Sequence, residues 1–132
     1  MNDLQNKQGI GDRYRARVRA FGYAAQGVKT LFSSQCHARF HALAAVVVIS
    51  LGFSLRISVI EWCLVILAIA LVIACEAINT AIEFLTDRVS TEPHPLAGKA
   101  KDVAAGAVLI SSAGSAVIGV IIFGPKIWRL IF

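Results

Sequence analysis

The chain has 132 residues, 57% of them hydrophobic, a mean hydropathy of +0.70 and a formal net charge of +5. Such a composition is too apolar for an ordinary soluble domain of this length, and it leaves room for one domain at most. It offers no basic, aromatic-interleaved soluble domain for nucleic acid, and Cys36, Cys63 and Cys75 form no C-x-x-C pair for a zinc site or a disulfide framework.

Residues 1–11, rich in Asn, Gln and Gly, are expected to be a disordered lead to a single membrane domain over 12–132. No cleavable signal peptide is expected, because Arg and Lys interrupt the first forty residues and leave no apolar core before a small-residue cleavage site. Tyr14, Val18, Phe21, Ala25, Val28 and Phe32 recur at helical spacing, while Arg15, Arg19 and Lys29 lie mostly elsewhere around the wheel. An amphipathic surface helix over 12–34, lying in the headgroup plane, is the expectation.

The first transmembrane helix is expected over 38–56, ending at Arg56. The second, over 58–84, carries Glu61 and Trp62 near one interface and Glu76 near the other, with fourteen charge-free residues (62–75) between Glu61 and Glu76. Pro93 and Pro95 break the connection that follows, and helix restarts over 96–102. The third transmembrane helix is expected over 101–124; its charge-free core of twenty-one residues (103–123) is about the length needed to cross roughly 30 Å of hydrocarbon. Its small residues, among them Gly106, Gly114 and Gly119, predict a close-packing helix face rather than a phosphate loop. The fold class is therefore an all-α membrane protein: one surface helix plus three transmembrane helices.

Ten of the thirteen Lys and Arg residues lie before the apolar core of the first span, which begins at Phe40, or between the second span and Val103. The positive-inside rule then puts the N-terminus and the second loop in the cytoplasm.

The segment Glu76-Ala77-Ile78-Asn79-Thr80-Ala81-Ile82-Glu83 sets two carboxylates and a carboxamide directly behind the charge-free run. At about 100° per residue, positions 76, 79 and 83 share one side of a helix and Asp87 extends the stripe. An ionisable group there costs about 2.5–3.5 kcal/mol in hydrocarbon, so it points to function. With His94, Lys99, Lys101 and Asp102 in the following segment, the set suits phosphoryl transfer: carboxylate and amide oxygens for Mg²⁺, lysine for phosphate, and a carboxylate to take a proton from a lipid hydroxyl. No P-loop or kinase glycine-rich loop is present. From the residues alone, a cation- or proton-conducting bundle and a non-catalytic membrane scaffold remain alternatives to an enzyme.

The same segment, with Asp87, His94-Pro95-Leu96 and Lys101-Asp102-Val103-Ala104-Ala105-Gly106, closely resembles the small prokaryotic diacylglycerol kinase family, three-span lipid kinases that include undecaprenol kinases. The resemblance covers about residues 17–125, and Ser58-Val59-Ile60-Glu61-Trp62 leans toward the undecaprenol kinase branch. It implies an enzyme that moves the γ-phosphate of ATP, with Mg²⁺, to the hydroxyl of a membrane lipid alcohol (undecaprenol or diacylglycerol). It further implies a homotrimer in the bacterial inner membrane, with the site at the cytoplasmic interface. Glu76 matches the general base and Asn79 a polar neighbour in the active centre; Glu83 matches a ligand of the metal. Arg17, Tyr23, Glu92, His94, Lys101 and Asp102 match nucleotide contacts. Gln35 stands where the family usually carries a metal-binding glutamate, offering a carbonyl oxygen without the negative charge. His37 and His41 are expected to be interface residues rather than ligands.

Overall fold

The computed structural model describes residues 2–90, 92 and 94–132, with side chains from residue 11 onward. Its elements are four α-helices: α1 (Asn2–Ser34), α2 (Cys36–Ser54), α3 (Val59–Val89) and α4 (Pro95–Ile131). Helix α1 is one unit and residues 35–132 are another.

Helix α1 starts at Asn2, ten residues before the start expected at Asp12, so the lead expected to be disordered is helical. No proline interrupts that lead, and Gly9 and Gly11 weaken a helix by only about 1 kcal/mol each. The predicted apolar stripe exists and is largely open: Tyr14, Val18, Phe21 and Val28 are exposed.

In the second unit α3 packs against both neighbours, most extensively against α4. Helices α2, α3 and α4 are each long and apolar enough to cross a membrane. Their outward side chains, such as Phe40, Ile66, Leu67, Ile110 and Val120, are exposed, as expected of a surface facing hydrocarbon.

The α2–α3 corner is tight because its local bonds close. Leu55 caps α2, Arg56 follows at φ 49°, and the N–H groups of Arg56 and Ile57 return to the carbonyls of Phe53 and Gly52. These crossed bonds form a Schellman cap, with arginine in the left-handed position that glycine usually fills. Ser58 then opens α3 with a capping box: its Oγ accepts from the Glu61 N–H, and the Ser58 N–H donates to Glu61 Oε2 at 2.6 Å. Lys126 near the end of α4 reaches Glu61 at 3.3 Å. Gly52 is required where it stands, since a Cβ there would come within 2.8 Å of the Trp62 ring. Ile57, Val65, Ile122 and Phe123 form the small core behind this corner.

Two spans run longer than expected. Helix α3 continues from 84 to Val89 because nothing before Ser90 breaks it. Helix α4 begins at Pro95, a residue suited to the first helical position, with His94 as its N-cap: Nδ1 accepts from the Leu96 N–H at 3.2 Å. It also passes through Pro125 to Ile131, beyond the expected end at 124. A Cβ at Gly106, Gly114 or Gly119 would meet nothing within 4 Å, so within this chain the three glycines make no close helix contact. The small residues of α4 that are buried are Ala104 and Ser111, with Gly106, Ser112, Ser115 and Gly119 half-buried.

Candidate functional site

The helical stripe on α3 sets the geometry. Glu76, Asn79 and Thr80 are buried, Glu76 to 4% exposure, and Glu83 is half-buried. Glu83 is held by a fork of two carboxamides. Asn79, one turn earlier on α3, donates from Nδ2 to Oε1 at 2.9 Å, and Gln35 donates from Nε2 to Oε2 at 3.2 Å. Both amides must present NH₂ to the ionised carboxylate, which only accepts, so their orientations are fixed by chemistry. Gln35 is the N-cap residue of α2, yet its side chain makes no cap bond and reaches Glu83 instead.

This arrangement leaves the Asn79 Oδ1 buried without a partner, along with the Thr80 Oγ1. An unsatisfied buried acceptor costs about 1–3 kcal/mol. Beside a carboxylate, such an oxygen is a natural place for a cation or a water. Among the described residues no group of three or more His, Cys, Asp or Glu gathers as a self-sufficient metal site. One carboxylate plus the Asn79 amide oxygen, completed by substrate phosphate and water, nevertheless fits Mg²⁺, which is commonly bound through one or two carboxylates and phosphates.

Glu76 meets a residue expected to be only an interface histidine. Nε2 of His41, on α2, lies 3.4 Å from Glu76 Oε1. The same histidine lines an apolar cavity of about 320 Å³ between α2, α3 and α4, with Ala44, Val72, Ser112 and Gly119 among its walls. The cavity runs from His41 toward Phe123, and apart from His41 its polar lining is Ser112 and Ser115. His37, by contrast, is exposed.

On the other side of Glu83 the stripe continues into an open cleft of about 590 Å³ formed by the end of α3, the connection and the start of α4. Glu92, His94 and Lys101 all line it, as does Asp87. Lys101 pairs directly with Asp87, joining α4 to α3 across the cleft. Asp102, expected to act with Lys101, is exposed and absent from the cleft lining. Pro93 lies outside the described residues. Arg17 and Tyr23 are exposed on α1, in the other unit.

The structure thus brings Gln35, Asn79 and Glu83 into one hydrogen-bonded group, and Glu92, His94 and Lys101 around one cleft. Sequence reasoning gave His41 no place at the site, and it set Asp87 and Lys101 in two facing polar groups without naming their direct pair. Residues 41 and 76 lie on different helices, so no spacing rule links them; opposite charges at 87 and 101, flanking a short predicted connection, were a usable signal for the second.

Comparison with known proteins agrees with this chemistry. A family model described as prokaryotic diacylglycerol kinase matches residues 22–123. The chain is 39% identical to the undecaprenol kinase of Bacillus subtilis over 109 residues, covering 83% of this chain and 89% of that protein. It is 38% identical over 89 residues to the diacylglycerol kinase of Haemophilus influenzae, covering 67% and 75% of the two chains. With the diacylglycerol kinase of Escherichia coli K12 it shares 32% over 94 residues, covering 71% and 77%.

Proposed function

The chain belongs to the prokaryotic diacylglycerol kinase family and is a membrane lipid kinase, and from that premise we propose that it phosphorylates undecaprenol in preference to diacylglycerol, with Glu76 as the base. The preference is supported by the greater identity and coverage with the undecaprenol kinase of Bacillus subtilis. The observation that carries the site reading is a buried carboxylate, Glu76, next to a histidine that lines an apolar cavity.

In this reading the lipid's hydrocarbon chain occupies the cavity and its hydroxyl reaches Glu76. Glu76 takes the hydroxyl proton as the lipid oxygen bonds to the γ-phosphorus, and the bond to the β,γ-bridging oxygen breaks to release ADP. Lys101, with Glu92 and His94 along the open cleft, binds the nucleotide phosphates. Glu83, with Asn79 Oδ1 beside it, would hold Mg²⁺, and Gln35 fixes the orientation of Glu83 through its amide. Bound there, the ion would supply charge neutralisation to the transferring phosphoryl group.

The open space beside Gly106 and Gly114, which lie outside the cavity lining, leaves room for a helix of another copy, which supports the homotrimer. The excess of Lys and Arg before the apolar core of α2, together with Arg88, Lys99 and Lys101 flanking the α3–α4 connection, supports a cytoplasmic N-terminus and site in a bacterial inner membrane. A conducting bundle is not favoured, because beyond His41 the cavity walls are apolar apart from two serines.

The test is transfer of labelled γ-phosphate in mixed micelles offering undecaprenol and diacylglycerol in parallel, with and without magnesium. Magnesium-dependent label mainly on undecaprenol is expected. Label mainly on diacylglycerol would reverse the substrate preference, and label without divalent metal would remove the role given to Glu83.

A further inference from the structure

We infer that His41 is the positioning residue for Glu76: it fixes the carboxylate so that one oxygen is held and the other is left for the lipid hydroxyl. This rests on the reading of Glu76 as the base.

Three observations converge on the pair. First, Glu76 has a side chain only 5% exposed, and a carboxylate so buried needs a donor to remain charged. Glu83, seven residues on, has two carboxamide donors; Glu76 instead faces His41 Nε2, 3.4 Å from Oε1, a contact too loose to count as a formed hydrogen bond. Second, the ring is confined. It packs edge-on against Phe40, with centroids 5.9 Å apart and planes at 73°, and its side chain is 19% exposed. Third, the same ring is part of the cavity wall, so it stands between the apolar space and the carboxylate.

A neutral imidazole carrying its proton on Nε2 can donate to Oε1, leaving Oε2 as the acceptor for the substrate. The contact is longer than an ideal hydrogen bond, as catalytic contacts often are before substrate arrives. Among the described residues no ionisable side chain besides His41 lines the cavity: α3 contributes alkyl groups there, and α4 contributes the hydroxyls of Ser112 and Ser115 besides apolar groups. A free carboxylate would swing between rotamers, and misplacement of a reacting group by about 1 Å costs on the order of 100-fold in rate.

Full-length His41→Leu and His41→Gln, purified in micelles, distinguish positioning from packing. Leucine keeps bulk and removes the donor; the Gln Nε2 can stand in for the imidazole N–H. His41→Leu is expected to lower kcat about 10- to 100-fold with KM for ATP and lipid little changed, and His41→Gln to restore most of the rate. Wild-type kcat in His41→Leu would overturn the inference. So would a folded His41→Gln that is as slow as His41→Leu, and should the leucine variant fail to assemble, a glutamine variant slowed 10-fold or more would overturn it alone. Glu76→Gln run alongside separates the two claims. If it is inactive while His41→Leu is fully active, only the positioning role falls; if it is active, the base assignment falls and takes the positioning role with it.

Discussion

Glu61 and Glu76 lie on the same helix, one near each end of the same charge-free run, and they are treated in opposite ways. Glu61 is locked: it accepts from the backbone of Ser58, its own N–H donates to the Ser58 hydroxyl, and Lys126 neutralises it. Glu76 is more deeply buried, faces one long contact from His41, and lies one turn from an asparagine oxygen with no partner. Satisfied polar groups stabilise a corner, whereas groups left incomplete where burial makes incompleteness costly mark the place where a substrate or ion finishes the set.

The largest effect should come from Glu76→Gln, which keeps shape and removes the proposed base. Turnover should fall about 1000-fold, within the range for general-base loss, with the helical melting curve little changed. If activity instead stays near wild type, the two ends of α3 do not differ in the way argued.

At the other end, Gly52→Ala should leave the specific activity of folded protein intact but lower stability by about 1–3 kcal/mol, since the new methyl overlaps the Trp62 ring. Thermal unfolding followed by circular dichroism in detergent reads this directly.

Gln35→Glu sharpens the comparison within the active end. It replaces the amide that donates to Glu83 with a second carboxylate, so the metal-free protein should melt lower and magnesium should raise its melting temperature more than it does for wild type. The magnesium concentration for half-maximal activity should fall by about tenfold, roughly the 1.4 kcal/mol that an added charge near a partly buried cation can supply. An unchanged magnesium requirement would show that Gln35 and Glu83 do not face the ion.

Glu61→Gln should have the smallest effect. Glutamine can maintain the capping box, so only the pairing with Lys126 is lost, with a small change in the melting temperature and no change in turnover.

Much of this was legible in the sequence. Charge-free runs and their flanking Arg and Lys residues located three spans, because hydrocarbon tolerates little else. The 76–79–83 stripe was legible because all three residues lie on one helix, where spacing determines direction. Boundaries were less so: the spans were ended at hydropathy edges, while Ser90, His94 and Pro95 end and restart helix by backbone chemistry. His41 was not legible, because its meaning comes from the packing of α2 on α3, and the partnerless Asn79 oxygen emerged only once both amides were seen to be committed to Glu83.

The most direct measurement is γ-phosphate transfer by Glu76→Gln and Glu61→Gln side by side, at matched folded concentration in micelles containing undecaprenol and magnesium ATP. The account predicts near-wild-type turnover for Glu61→Gln and a loss of about three orders of magnitude for Glu76→Gln. Equal turnover in the two variants would contradict it.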